Sequence, residues 1–439
     1  MSEPSAPRAR LLVPALLFGF YLMGAAAGGV LLLVGGRALG LATGFTAATD
    51  CAAVLALALG AVVGGTIGGE RVLRSGAPGA ALALIQAALG LSAVLAVFLF
   101  RMARASYLLL VPRALHSDPA IFGLRFGLAL SLFLLPAALF CGMAPFLARL
   151  IVAGRQGFGI ACGFTFGLTL AGLGLGTAVG GRIFLPDFGV RGSLLIAVAL
   201  AGIAAAGTLL VRQRGLEGPG ALGADLSGGE LPSGERPDGE EILIDDEVIA
   251  GGTLASANIL VGFSAWATLL AWSRALTFLA GGTLEAKATI AAVFLVGLAV
   301  GAFLMGGLAE RPDRLLALLT LVLSASAVVA HASMYLVPSA ATFFLRLTPL
   351  LDRPGLAFLP TALTAALVML PTCLLLGGAL PLLPLAARAR GRPMAGTIGF
   401  LALGVLLADL IVGLLVVPAF GLRRTVSLAG AVGLLAAIL

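Results

Sequence analysis

From Leu11 to Gly36 the chain runs LLVPALLFGFYLMGAAAGGVLLLVGG without one charged side chain, and stretches of this kind recur to its end. A helix of about 20 apolar residues spans the roughly 30 Å hydrocarbon core of a bilayer. Repeated runs of that length therefore restrict the chain to a bundle of membrane-crossing helices. Composition agrees: 60% of the 439 residues are hydrophobic and 11% charged, too little charge to coat a soluble domain of this size. The 61 glycines fit the same class, because glycine lets membrane helices approach closely.

Twelve helical segments are read from the runs: 11–36, 46–69, 79–100, 124–149, 158–184 and 193–211, then 251–273, 286–309, 315–336, 358–386, 394–418 and 425–439. The two sets are copies. GAVVGGTIGGER (60–71) matches GAFLMGGLAER (301–311), and LPAALFCGMAP (135–145) matches LPTCLLLGGALP (370–381). LPDFGVRG (185–192) matches VPAFGLRR (417–424), with Gly172, Gly181 and Pro186 answering to Gly404, Gly413 and Pro418. Six helices separate equivalent points, so the repeats run in parallel, one of the known transporter architectures. The expected fold is all-α: twelve transmembrane helices as two six-helix repeats, 1–211 and 251–439, joined by an acidic flexible linker, 212–250. In the 185–192 and 417–424 turns, Pro186 and Pro418 are expected to stop the preceding helix and Gly189 and Gly421 to permit the reversal. Arg191 and Arg423 would anchor the next helix at the headgroups.

The net charge is +7, yet residues 212–248 hold ten of the twenty acids. The basic excess elsewhere sits at helix ends, where arginine snorkels to headgroups, so nucleic acid is excluded as a partner. Counted by side, the arginines barely distinguish the two faces; the compact basic loop ARARGRP (387–393) favours the amino terminus, and with it both termini and the linker, on the cytoplasmic side of an inner membrane. The first apolar run mimics a secretory signal but is read as an uncleaved first helix. The last helix is short for one crossing: either it starts earlier and tilts little, or the chain once continued past Leu439. Cys51, Cys141, Cys162 and Cys373 lie in apolar runs as small buried residues, and His116 and His331 stand too far apart to suggest a metal. No cofactor is expected.

Asp409, in GVLLADLIVG, is the acid placed deepest in an apolar run, and its repeat counterpart is Thr177. A charge there is costly unless paired or facing water. It is either a binding or coupling carboxylate in the cleft between repeats, or a structural acid, paired with an arginine such as Arg274 or lying near the interface. Trp272 and Arg274, in AWSRAL, are candidate substrate contacts; a tryptophan–arginine pair near a helix end also suits an interface anchor. Asp50 is read as a cap on the second helix, and Glu285 with Lys287 as a solvated pair at the equivalent entry of the eighth. Glu70–Arg71 and Glu310–Arg311 recur in both repeats and form an expected gate or latch with Arg155, Arg388 or Arg392. Glycines four apart (Gly60, Gly64, Gly68; Gly172, Gly176, Gly180; Gly297, Gly301) mark packing faces, not a nucleotide loop.

AWSRAL (271–276), FLVGLAVGAFLMGGLAERPDR (294–314), LPTCLLLGGALPLLPLAARARG (370–391) and GLLVVPAFGLRR (413–424), in this order, resemble the membrane domain of fused transporter/spermidine-synthase-like proteins. GGLAERPDR is similar to the helix 2–3 loop motif of the major facilitator superfamily. The chain departs from the first pattern at Leu269 and Leu401, where polar residues are usual, and it carries no synthase domain, so no enzymatic activity is expected. The resemblance implies a transporter-like protein for a small organic solute, and Asp409 would suit a cationic one. The alternative is a non-transporting membrane scaffold or subunit that docks a soluble enzyme or a larger complex.

Overall fold

The computed structural model describes residues 7–114, 117–153, 157–213, 243–308, 315–353, 355–389 and 395–439. Among these the regular structure is entirely helical: α1 (Pro7–Thr43), α2 (Ala47–Arg74), α3 (Pro78–Ala114), α4 (Asp118–Ala153), α5 (Phe158–Val179), α6 (Leu185–Val211), α7 (Leu243–Ala280), α8 (Leu284–Leu308), α9 (Leu315–Ser333), α10 (Val337–Leu347), α11 (Leu359–Ala389), α12 (Ala395–Ala408) and α13 (Val417–Ile438). Most of the linker lies outside the described residues. Its last part is helical: α7 begins at Leu243, inside the segment read as linker.

Ten stretches among the described residues are long and apolar enough to cross a membrane. Two of them, Phe158–Val211 and Gly396–Ile438, are too long for one crossing. In the first, Gly172 of α5 and Gly180 just past its end lie beside Ala25 and Val30 of α1, so both segments run the same way; Gly207 of α6 is then back beside Phe20. The chain has reversed at Gly189 (φ 66°, ψ −175°), and its counterpart Gly421 (φ 76°, ψ 175°) reverses the second stretch. With these two hairpins the described residues make twelve passes.

The prolines do not stop their helices, contrary to expectation. Proline lacks an N–H and crowds the carbonyl four residues back. The chain absorbs this by widening into π turns just before each proline, Gly180–Phe184 and Asp409–Val416. There Leu185 N–H donates to the Gly180 carbonyl and Val417 N–H to that of Val412. The next carbonyls in that register, Gly181 and Gly413, face residues 186 and 418, which have no N–H to give. The reversal waits for the glycine, whose backbone conformation is essentially closed to other residues. Gly189→Ala and Gly421→Ala should each cost about 1–3 kcal/mol from backbone strain alone, because no atom lies within 4 Å of an added Cβ. Thermal unfolding in detergent would measure this, and unchanged melting would contradict it.

The repeats are also visible in the packing. In the first half α1 lies against α5 and α6, α3 against α4 and α6, and α2 against α4. In the second, α7 lies against α12 and α13, α9 against α11 and α13, and α8 against α11. The α1–α2 and α7–α8 turns share a positive-φ glycine, Gly44 (φ 91°) and Gly281 (φ 86°). The helix caps there are Thr46 and Thr283, whose Oγ1 atoms accept N–H bonds from Thr49 and Ala286, both at 3.2 Å. Asp50 is therefore a first-turn acid that complements the dipole, not the cap.

The glycine faces pack as expected. A Cβ at Gly60 or Gly64 would overlap the backbone of α4, and one at Gly301 the Leu374 carbonyl of α11. Gly172 and Gly176 set α5 against α1. The halves meet along two seams, α5 with α8 and α2 with α12. The first is close at both ends, Gly163 on Gly306 and Gly181 on Ala288.

The amphipathic α10 lies between two of the segments read from the runs, 315–336 and 358–386, and belongs to neither. It follows a 3₁₀ turn at Met334–Leu336 and buries Ala340 alone.

Candidate functional site

Asp409 opens the π segment between α12 and α13 and is 2% exposed. Its Oδ1 accepts a hydrogen bond from Trp266 Nε1 of α7 at 3.1 Å. Its Oδ2 has no hydrogen-bond partner. The Asp409 backbone carbonyl lies 3.9 Å from Cys51 Sγ, in the first turn of α2. Asp409 thus belongs to the seam between the halves, level with the start of α2 and nearer that end of the bundle than its middle.

Arg274, also on α7, does not grip the carboxylate. Its Nη2 donates to the Gly413 carbonyl at 3.2 Å, supplying the donor that Pro418 cannot. Gly413 lies one turn past Asp409, and a Cβ there would stand 3.7 Å from Asp409 Oδ1. Arg274 lies within electrostatic range of Asp409 and also of Asp50.

Asp50 forms the ion pair present among the described residues, with Lys287 Nζ at 3.8 Å. Lys287 was expected to belong with Glu285 in a solvated pair; it reaches across to the other half instead. The spacing that relates Gly44 to Gly281 and Thr46 to Thr283 also relates Asp50 to Lys287. A residue that touches its own repeat counterpart must lie beside the pseudo-two-fold axis of the halves. Both side chains are more than half exposed, 51% for Lys287 and 68% for Asp50. Such a pair contributes no more than about 1 kcal/mol. Lys287→Asp should lower the melting temperature slightly, and adding Asp50→Lys should recover it; failure of the double exchange to recover would show that charge is not what joins them.

The same spacing pairs Arg274 with Arg37 and Trp266 with Gly29. Gly29 packs directly on the backbone of Leu173 and Thr177, the latter being the counterpart of Asp409. Where the first half closes glycine on backbone, the second inserts an indole that holds an acid.

Of the residues expected at a binding site, Asp409 and Arg274 come together and Trp272 does not. Trp272 is fully buried in the second-half core with Phe294, Met369 and Cys373, so it is no interface anchor either. Trp266, Cys51 and the Asp50–Lys287 pair were missed as members of the site. The one available signal was Trp266 itself, a second tryptophan on the same helix. Glu310, Arg311, Arg155 and Arg392 of the expected latch fall outside the described residues, as does the side chain of Glu70. Arg71 is exposed. Arg388 lies over the ring of Phe158 at 4.4 Å, joining α11 to α5 across the halves. An open groove of about 370 Å³ near the same end as Asp409, lined by Tyr335, Pro338, Leu422 and Arg423 among others, takes in none of the charged cluster.

No protein-family model and no curated protein sequence matches the chain. Among solved structures, the crystal structure of nucleoside transporter NupG is similar over 97% of this chain and 97% of that one, with a TM-score of 0.50 and 12% identity. At that identity the likeness shows the fold alone: an all-helical polytopic membrane protein with the same overall architecture as that structure.

Proposed function

We propose that this chain carries a small organic solute across the inner membrane, with its termini and linker cytoplasmic and the solute's cationic group received by Asp409. One observation carries the reading: a carboxylate 2% exposed, at the seam between two repeats, with one oxygen hydrogen-bonded and the other unpartnered. An unpaired buried acid costs several kcal/mol in an apolar bundle, a cost that binding of a cationic group offsets. Trp266, fixed by its bond to Oδ1, presents an indole beside the same site, and indole faces attract cations. The resemblance to the membrane domain of spermidine-synthase fusions points to the same charge. Uptake of small organic amines (polyamines, monoamines and amino acids) into proteoliposomes is the test, with Asp409→Asn beside the wild type. No uptake of any of them by a folded wild-type protein would refute the reading.

A scaffold that docks a soluble enzyme or larger complex is favoured by a different observation. The halves touch at both ends of the α5–α8 seam, and Arg182 bonds the Gly355 carbonyl at 3.1 Å and lies over the Phe358 ring at 4.2 Å, tying them again. A bundle that never opens would show no uptake in the same assay.

A further inference from the structure

We infer that the solute is a small zwitterion, its cationic group facing Asp409 and its anionic group facing Arg274; this rests on the transport reading above. The charges of the cluster require two ends. Asp50 and Lys287 satisfy one another. That leaves one acid with a free oxygen, Asp409, and one half-buried arginine whose described bond is to the Gly413 carbonyl. A plain cation bound at Oδ2 would meet the guanidinium held one turn away, and a plain anion at the guanidinium would meet the carboxylate. A solute carrying both charges meets an opposite charge at each end.

The repeat supplies an independent observation. In the first half Arg37 lies 4.6 Å from the centre of the Phe45 ring, and the acid position is Thr177, whose hydroxyl is spent on the Leu173 carbonyl. There the arginine is stacked and has no acid to answer. In the second half the spacing that pairs Arg37 with Arg274 sets Gly282 in place of Phe45, and nothing lies within 4 Å of a Cβ at Gly282. The second half thus has no ring at the position that occupies the arginine in the first, and it carries an acid beside that arginine. Asp409 and Gly413 are near neighbours in the π segment, a Cβ at Gly413 standing 3.7 Å from Asp409 Oδ1. That separation sets the size: an amino acid with its amine and carboxylate a few bonds apart.

The experiment compares each amino acid with its own amide in proteoliposomes: glycine with glycinamide, β-alanine with β-alaninamide, γ-aminobutyrate with γ-aminobutyramide. The amide keeps the cation and loses the anion. The expected result is at least about tenfold faster uptake of one or more acids than of their amides. Arg274→Gln should bring the ratio towards one, and Arg274→Lys should keep a preference for the acid. If Arg274→Gln does not fold, the wild-type ratio decides alone. Uptake of the amides equal to or above that of the acids overturns the zwitterion assignment and leaves the transport reading intact. A loss in Arg274→Gln that is equal for both forms also overturns it, reducing Arg274 to a structural donor for Gly413. Uptake of neither form, nor of any other amine, removes both readings together.

Discussion

Asp409→Asn should reduce uptake by tenfold or more while the purified protein keeps its elution profile and melts no lower than the wild type. Asparagine has the shape of aspartate, and its carbonyl oxygen can still accept the 3.1 Å bond from Trp266. The frame of the site is therefore preserved. What is lost is the charge at the unpartnered Oδ2. A hydrogen bond to a charged group contributes about 1.5–3 kcal/mol, and every ~1.4 kcal/mol is a factor of ten in binding. Stability should move the other way, because a desolvated carboxylate is costly in an apolar seam. The two readouts together discriminate between roles. A structural acid would lose stability on neutralisation and leave any uptake unchanged, which is the outcome that would end the binding interpretation.

Replacing Gly64 or Gly301 by isoleucine should prevent either variant from being recovered as a folded monomer. The spacing that relates Asp50 to Lys287 makes these glycines counterparts, correcting the sequence match that set Gly301 against Gly60; one lies in α2 against α4 and the other in α8 against α11. A Cβ at Gly64 would sit in the Ala138 carbonyl, and one at Gly301 in the Leu374 carbonyl. Overpacking a core side chain typically costs about 1–3 kcal/mol because neighbouring side chains can yield. Here the obstacle is helix backbone, so the two helices must part along their length. Gly202→Ala is the control: it also lies within a helix, nothing lies within 4 Å of its added Cβ, and alanine should stabilise by up to about 1 kcal/mol. Size-exclusion and thermal unfolding in detergent separate the cases. Normal melting of both isoleucine variants would mean that the close helix pairs are not a condition of the fold.

The helices and their duplication could be read from residue order because lipid demands long apolar runs, and an internal repeat writes each signal twice. The turn glycines were legible for a chemical reason: only glycine takes the backbone conformation at Gly189 and Gly421. Asp409 stood out because charge is rare in such runs. Its surroundings did not, since in a helix apolar all round nothing marks which face turns inward. Trp266 and Trp272 lie on different faces of α7, and the sequence does not say which one meets the acid. Nor could residue order show that a proline would widen the preceding helix rather than end it. That detail decides the chemistry, because the carbonyl it orphans at Gly413 is what holds Arg274 beside Asp409. The α10 helix escaped because its apolar stripe is short and lies at the end of the bundle.

Asp50 and Lys287 meet at the pseudo-two-fold axis as counterparts of opposite sign. Two copies of the first half assembled about that axis would set aspartate against aspartate, and two copies of the second, lysine against lysine. Like charges at such a distance repel by about 1 kcal/mol in water, a small bias with a fixed direction. The duplicated unit has thereby become complementary to its twin and no longer to itself. Severed halves expressed together should sort into mixed pairs, each half selecting the other over its own kind.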